Sequence, residues 1–505
     1  MEKVILEKET RIEKFLKKVE IIGNKLPHPF MMFLYLIVII SIFSMGLSLL
    51  KISAVHPVSK EMIEVRSIIS PTGVLWLLSS FLKNLMNFAP FGLVLAMTVG
   101  IGFAEETGFV MAFLKKSVSN VPESILPYAI VFIGIVGNLA SDAAFVILPP
   151  LAALIFMAKG RHPVAGIVAS FAGAAGGFSA NIMVAGTDAL LAGITNEAAK
   201  GVTDFIVTPV SNWYFMVIST IFLTLVGGYI TKNIVEKRLG KYTGEDINKL
   251  DKLTKIEKKG LKFVGITSLV YWGIILVGLF PNGILRDPIA NTIIPSPFLK
   301  GLIPILFFYF ILIGGVYGIV TKSIKGGDDV PKKLNNVIKK MSGFIVLIFV
   351  VSQFIAIFNW TNMGKVLAIK GASFLTSTGI TGIPLMIGFL ILGSFINLFI
   401  GSGSAKWALL APIFIPMFSL MGYSPALIQV AYRVGDSLTN PISPLFTYVP
   451  VVLTYTILYK KEAGMGTLIS LTLPYTIGFF IFWPLLLIVW MILGLPLGPG
   501  GELFL

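Results

Sequence analysis

Residues 137–150 read GNLASDAAFVILPP, so that Gly137, Asn138, Ser141 and Asp142 lie together between two apolar stretches. The segment containing them starts after the pair Lys115/Lys116 and ends at the pair Lys159/Arg161. Basic residues concentrate in cytoplasmic connections, so both ends prefer the same side of a membrane. Two full crossings would satisfy that preference. Small polar residues at the midpoint, however, are poor material for an outer loop and good material for a hairpin tip inside the bilayer. We read 124–158 as a re-entrant hairpin open to the cytoplasm.

The rest of the chain supports a membrane setting. Its 505 residues are 55% hydrophobic and 13% charged, with a mean hydropathy of +0.88, which leaves too few polar residues to cover a soluble protein of this length. Apolar segments of about 20 residues, the length that crosses a bilayer as a helix, recur along the whole sequence. That recurrence excludes a secreted protein with a signal peptide, and the long continuous runs differ from the alternating strands of a membrane β-barrel. Simple spans are expected near 31–50, 88–113, 211–231, 263–281, 301–321, 343–360 and 466–494. The net charge of +15 comes from basic residues that punctuate these spans and do not mark a nucleic-acid partner. Residues 1–30 carry seven Lys/Arg, 232–262 carry ten and 322–340 carry six, whereas the connections 51–70, 194–210, 282–300 and 361–383 together carry eight. The expected topology is therefore multi-pass in a bacterial inner membrane with a cytoplasmic N-terminus.

A second hairpin is expected over 384–420, where IGFLILGSFINLFI runs into GSGSAKWALLAPIFIPMF. Five crossings separate the two hairpins, so the second opens to the outside, as in an inverted repeat. SDAAFVILPP (141–150) aligns with SAKWALLAPI (404–413), which sets Pro149 opposite Pro412. Each hairpin is followed by an apolar segment broken in its middle: AGAAGGFSANIMVAGTDALL at 172–191 and AYRVGDSLTNPISPLF at 431–446, with Asn181 opposite Asn440. The expected fold is all-α, with nine transmembrane helices and two re-entrant hairpins. Its divisions are a cytoplasmic segment 1–30, two spans in 31–113, the first hairpin and broken helix in 124–193, spans in 211–360 with the loop 232–262, the second hairpin and broken helix in 384–456, and a last span and C-terminus in 466–505.

Non-helical backbone at membrane depth survives only where protein or a water-filled cavity satisfies its N–H and C=O groups, so four converging breaks predict a solute site. Helix N-termini at the tips suit a carboxylate, and free carbonyls suit Na⁺. Ionisable residues inside the bilayer are costly and mark function. Here they are Asp142, Asp188, Lys406, Arg433 and Asp436, all in the four broken elements. Arg433 and Asp436 stand three apart, a spacing that sets them on one helix face as an ion pair; that pair reads either as structural or as a guanidinium offered to a solute carboxylate with Asp436 orienting it or titrating. Trp407 reads either as packing or as a platform for an aromatic solute, and Glu105 and Glu106 as interfacial. With no cysteine and with His28, His56 and His162 in connections or at helix ends, no metal centre or cofactor is expected. No GxSxG, Walker A or HExxH motif is present, so an enzyme is not expected. A channel and an intramembrane enzyme remain alternative readings.

The run GNLASDAAFVILPPLAALIFMAKGRHPVAGIVASFAGAAGGFSAN, the GTDALL after it, and GSGSAKWALLAPIFIPMFSLMGYSPALIQVAYRVGDSLTNPISP closely resemble the AbgT family of p-aminobenzoyl-glutamate transporters, over essentially the whole chain. The resemblance implies nine transmembrane helices plus two hairpins, a homodimer with scaffold and transport domains working as an elevator, and movement of p-aminobenzoyl-glutamate. For some members it implies sulfonamide export, so a proton-driven efflux pump is the alternative. The family's functional residues carry over to Asp188, Asn397, Trp407, Pro425, Arg433 and Asp436. Adding Asn440 gives the expected substrate-binding set. Asn138, Ser141, Asp142, Asn181 and Ser404 are the coupling-ion candidates, with the ion, Na⁺ or H⁺, left open. The second half is expected to select the solute, and the first, through Asn138, Ser141 and Asp188, to hold the coupling ion.

Overall fold

The computed structural model describes residues 27, 29–55, 60–119, 121–138, 142–242, 244, 253–293 and 296–505, without the side chains at 89, 90, 118, 119, 142 and 143. His28, His56 and Ser141 lie outside the described residues, as does the side chain of Asp142.

Among the described residues, seven helices are long and apolar enough to cross a membrane, and each overlaps one expected simple span. We label α1 Pro29–Leu49, α2 Pro71–Met86, α3 Ala89–Glu106 and α4 Phe109–Ser119. Next come α5 Leu126–Gly137, α6 Asp142–Ala158, α7 Pro163–Gly176 and α8 Gly186–Ala199. Then follow α9 Trp213–Ile230, α10 Lys255–Gly278, α11 Leu302–Thr321, α12 Asp329–Trp360 and α13 Met363–Ser377. The C-terminal part contains α14 Gly382–Asn397, α15 Gly403–Ser419, α16 Pro425–Leu438, α17 Val449–Tyr459 and α18 Met465–Ile492.

Three local expectations are revised. The span placed at 88–113 stops at Glu106, because Gly108 takes a positive φ of 88° and the chain restarts as α4. The outer connection 361–383 contains α13, whose apolar residues pack on α15. A further helix, α2, precedes the second span; Pro71 occupies its first turn, and the Ser70 hydroxyl caps it by accepting from the Gly73 N–H at 3.2 Å. One antiparallel two-stranded ribbon, Ser53–Val55 with Met62–Glu64, departs from the all-α expectation.

The two broken segments form by matching local rules. His162 Nδ1 accepts from the Val164 N–H at the head of α7, and Ser424 Oγ accepts from the Leu427 N–H at the head of α16. Each cap is followed by a proline in the first turn, where the missing N–H costs nothing. Both helices are buried along their full length. Small residues permit that depth: a Cβ at Gly134 would come 2.6 Å from Ser170 O, one at Gly166 2.5 Å from Ala152 O, and one at Gly173 2.5 Å from Val131 O. Helices α5 and α6 therefore meet α7 at backbone contact.

The halves also pack reciprocally. Helix α15, the second arm of the second helical pair, packs on α8, which continues the first broken segment; α6, its counterpart, packs on α17, which continues the second. One large hydrophobic cluster joins the helical pairs, the broken segments, α9, α12 and α18, and a smaller one gathers α3, α10 and α11.

Candidate functional site

The first segment breaks between Gly176 and Gly186, and the second passes from α16 through a short 3₁₀ turn, Asn440–Ile442, into an irregular stretch before α17. The tip of the second helical pair, between Asn397 and Gly403, reaches both breaks. Between them lies a cavity of about 270 Å³, near the lower end of the ~300–1,000 Å³ usual for small-molecule sites. Its polar wall comprises Ser179, Thr187, Ser402, Ser404, Asp436 and Thr447, and its apolar wall includes Phe178, Leu190, Leu191, Phe446 and Tyr448. Gly401 and Gly403 let the tip backbone close in; a Cβ at Gly401 would stand 2.8 Å from Leu445 O.

Two buried ion pairs flank this cavity, and neither is the one expected from spacing. Arg433 does not pair with Asp436. Its Nη2 lies 2.7 Å from Asp188 Oδ1, and the same nitrogen donates to Ser179 O at 2.7 Å, so α16 is tied to the first break. Asp436 Oδ1 instead lies 2.5 Å from Lys406 Nζ on α15. A three-residue spacing places two side chains on one face of a helix, but a partner of opposite charge on a neighbouring helix competes for each of them, and here both neighbours win. All four side chains are at least 95% buried. Asp188 also accepts from Asn181 Nδ2 at 2.8 Å and from the Ala185 N–H at 2.7 Å, and this second bond caps the start of α8.

An amide network completes the connection between the halves. Asn397 Oδ1 accepts from Lys406, and its Nδ2 donates to Asn440 Oδ1 at 2.8 Å and to Thr439 Oγ1 at 2.9 Å. Asn440 Nδ2 in turn donates to Ala175 O at the end of α7. Trp407 is fully buried, stacked on Tyr432 with ring centroids 4.4 Å apart, and its indole N–H donates to Thr195 Oγ1 at 2.9 Å. The aromatic groups on the cavity wall are therefore Phe178, Phe446 and Tyr448, while Trp407 packs behind it. Pro425 sits in the buried first turn of α16, and Ser404 stands in the first turn of α15 beside Ser402. Asn138, at the end of α5, reaches Gly177 O at 3.4 Å, and its buried Oδ1 has no hydrogen-bond partner among the described residues.

Reasoning from the sequence passed over Tyr432, Thr195, Gln429 and Asn212. The Tyr432 hydroxyl donates to Gly403 O and lies 3.2 Å from Asp436 Oδ1. Thr195 Oγ1 donates to Gln429 Oε1 at 2.6 Å, and Gln429 Nε2 donates to Asn212 Oδ1 at 2.8 Å. A signal was available for Gln429, since positions 429, 433 and 436 form one polar stripe at helical spacing on a mostly apolar helix.

Interrupted helices, buried charge pairs and a cavity between them, in a chain built of apolar membrane-length helices, define a multi-pass membrane transport protein. The sequence model of the AbgT transporter family matches residues 14–505. The chain is 44% identical over 484 residues to the p-aminobenzoyl-glutamate transport protein of Escherichia coli (strain K12), covering 95% of each. Its fold is similar to the YdaH transporter of Alcanivorax borkumensis, with a TM-score of 0.90 and 36% identity over 94% of this chain and all of that one. It is likewise similar to MtrF of Neisseria gonorrhoeae, described among a class of antimetabolite efflux pumps, with a TM-score of 0.91 and 41% identity over 97% of this chain and all of that one. The chain belongs to the AbgT family of transporters and is not an enzyme.

Proposed function

We propose that the chain is an ion-coupled secondary-active carrier of p-aminobenzoyl-glutamate or a similar aromatic dicarboxylate. The observation that carries this reading is the cavity between the first break and the second tip, which combines an aromatic wall with two buried cations, Arg433 and Lys406, at its back. A guanidinium, an ammonium and the N-terminal end of α15 suit carboxylates, and Phe178, Phe446 and Tyr448 suit an aminobenzoyl ring. In this reading α5/α6 and α14/α15 are re-entrant hairpins opening inside and outside respectively, the membrane is crossed nine times from a cytoplasmic N-terminus in the inner membrane, and the hairpins with their broken helices move as an elevator within a homodimer. The matching caps of α7 and α16 and the reciprocal packing of α15 on α8 and α6 on α17 favour the repeat. Asn138, Asn181 and Ser404 remain the described candidates for the coupling ion.

Uptake of labelled p-aminobenzoyl-glutamate into proteoliposomes, under separately imposed Na⁺ and pH gradients, tests the reading. Saturable, gradient-dependent accumulation that Arg433→Ala abolishes is expected; gradient-independent flux or an unaffected Arg433→Ala protein refutes it. The likeness to MtrF favours sulfonamide or antimetabolite efflux as a second reading, which predicts competition by sulfonamides and proton-driven export from the same site. Orientation is accessible because the chain lacks cysteine. Lys241→Cys is expected to label only from the cytoplasmic side and Asp287→Cys only from outside.

A further inference from the structure

Lys406 is the least economical residue of the site. It sits in the first turn of α15, where the helix dipole disfavours a cation, and it is 1% exposed. Replacing a buried ion pair by apolar side chains of similar volume is often neutral or stabilising, so packing alone does not call for a lysine here. Its ammonium faces Asp436 Oδ1 at 2.5 Å and Asn397 Oδ1. The other carboxylate oxygen, Asp436 Oδ2, lies against the tip backbone, since a Cβ at Gly403 would come within 2.8 Å of it, and Asp436 is part of the cavity wall. Asp436 therefore stands between the cavity and the ammonium.

We propose that Lys406 is a solute-binding cation whose resident counter-ion, Asp436, gives way to a solute carboxylate and takes up a proton as it does so. This inference rests on the carrier reading above. Two ionised carboxylates cannot share one ammonium in a dry site without one of them protonating. A solute carboxylate entering beside Asp436 takes over the ammonium, and Asp436 accepts a proton from the aqueous phase open to the cavity. Departure of the solute on the other side returns Lys406 to Asp436 and releases that proton there. Charge stays balanced at each stage, and one proton accompanies one carboxylate. Among the described residues, few groups interfere. Asp436 meets Lys406 from α15 and the Tyr432 hydroxyl from its own helix; α14 presents the uncharged Asn397; and the charges on α8 and the preceding turn of α16, Asp188 and Arg433, are paired with each other. The Arg433–Asp188 pair thus remains available for the second carboxylate of a dicarboxylate.

The test uses the full-length protein in proteoliposomes with p-aminobenzoyl-glutamate and p-aminobenzoyl-glutamine, which has one carboxylate fewer. For Lys406→Met we expect KM for the dicarboxylate to rise roughly 10- to 100-fold, the range for losing a hydrogen bond to a charged group. Discrimination between the two solutes should collapse, and accumulation driven by a pH gradient should disappear, with Lys406→Arg restoring discrimination. Asp436→Asn should lose pH-driven accumulation far more completely than solute exchange at equal concentrations on both sides, because exchange returns the carrier loaded and needs no net proton movement. The charge-free Lys406→Met/Asp436→Asn protein, checked for monodispersity and melting temperature, separates loss of function from loss of fold. A Lys406→Met protein with wild-type discrimination and wild-type response to pH overturns this inference alone. A wild-type protein that moves neither solute overturns the carrier reading.

Discussion

Asp188→Ala would leave the Arg433 guanidinium buried with, among the described residues, one acceptor, Ser179 O at 2.7 Å, and with Nε unpartnered. Removing one member of a buried pair costs about 3–5 kcal/mol, because the remaining charge is stranded away from water. Asp188 also accepts from the Ala185 N–H at the start of α8, and losing that bond adds ~1 kcal/mol. The reciprocal cut is gentler. After Arg433→Ala, the carboxylate of Asp188 keeps Asn181 Nδ2 at 2.8 Å and the Ala185 N–H at 2.7 Å, so its charge stays hydrogen-bonded. We expect a loss near the lower bound, about 3 kcal/mol, and hence a difference of ~2 kcal/mol between the single variants. The double variant removes both charges and should be more stable than the sum of the single losses implies by ~1–3 kcal/mol. Chemical denaturation of the purified protein in detergent, followed by tryptophan fluorescence, measures all three. Equal losses in the two single variants, or strict additivity in the double, would refute the argument that Asp188 is better satisfied than Arg433.

Three further outcomes are expected. Gly435→Ala places a Cβ 2.4 Å from Leu390 O, forcing α16 away from α14; it should cost ~1–3 kcal/mol and reduce transport, whereas Gly343→Ala, with nothing within 4 Å, should lose neither stability nor transport. Thr195→Val strands Trp407 Nε1 and Gln429 Oε1 together, for about 2–4 kcal/mol by the same denaturation assay, and Thr195→Ser should restore most of it. His162 caps α7 as a neutral imidazole; burial, and then the charge of Lys460, hold its pKa below the ordinary value. The unfolded chain therefore binds the proton more tightly, so this stabilisation is complete above pH ~6.5 and is lost as pH falls from there through the folded-state value. Melting temperatures from pH 8 down to 5 should fall less for His162→Asn, which caps without titrating, than for wild type.

Much of the fold was legible because hydrocarbon is an undemanding solvent to read. A crossing helix needs about 20 apolar residues whatever its neighbours, so all seven simple spans could be located from composition alone. The breaks were legible for the complementary reason, that Gly, Ser and Asn at membrane depth have few other uses. What escaped was structure whose sequence is ambiguous between loop and helix. Residues 363–377 hold two lysines and read as a connection, yet they form α13, because α15 offers a partner for the apolar face of VLAIKGASFL. The end of α3 was missed because the apolar run FVMAFL resumes directly after AEETG, across a turn that depends on a single glycine at positive φ.

The site divided along a similar line. Residue types were readable, since an ionisable side chain in an apolar run advertises its cost. Partners were not. The spacing of Arg433 and Asp436 assigns them a common face, and a local rule then pairs them; only the approach of α8 and α15 decides that each has a better partner 245 or 30 positions away. That exchange changes the chemistry available. A single Arg433/Asp436 pair would be one salt bridge within one helix, indifferent to how the halves are arranged. Two pairs that cross between helices make each aspartate the placeholder of a cation belonging to another element, so displacing either one loosens a joint: α16 from the first break, or α15 from α16. A solute that competes for those cations therefore acts on the contacts that hold the broken elements together, which is what coupling of binding to movement requires.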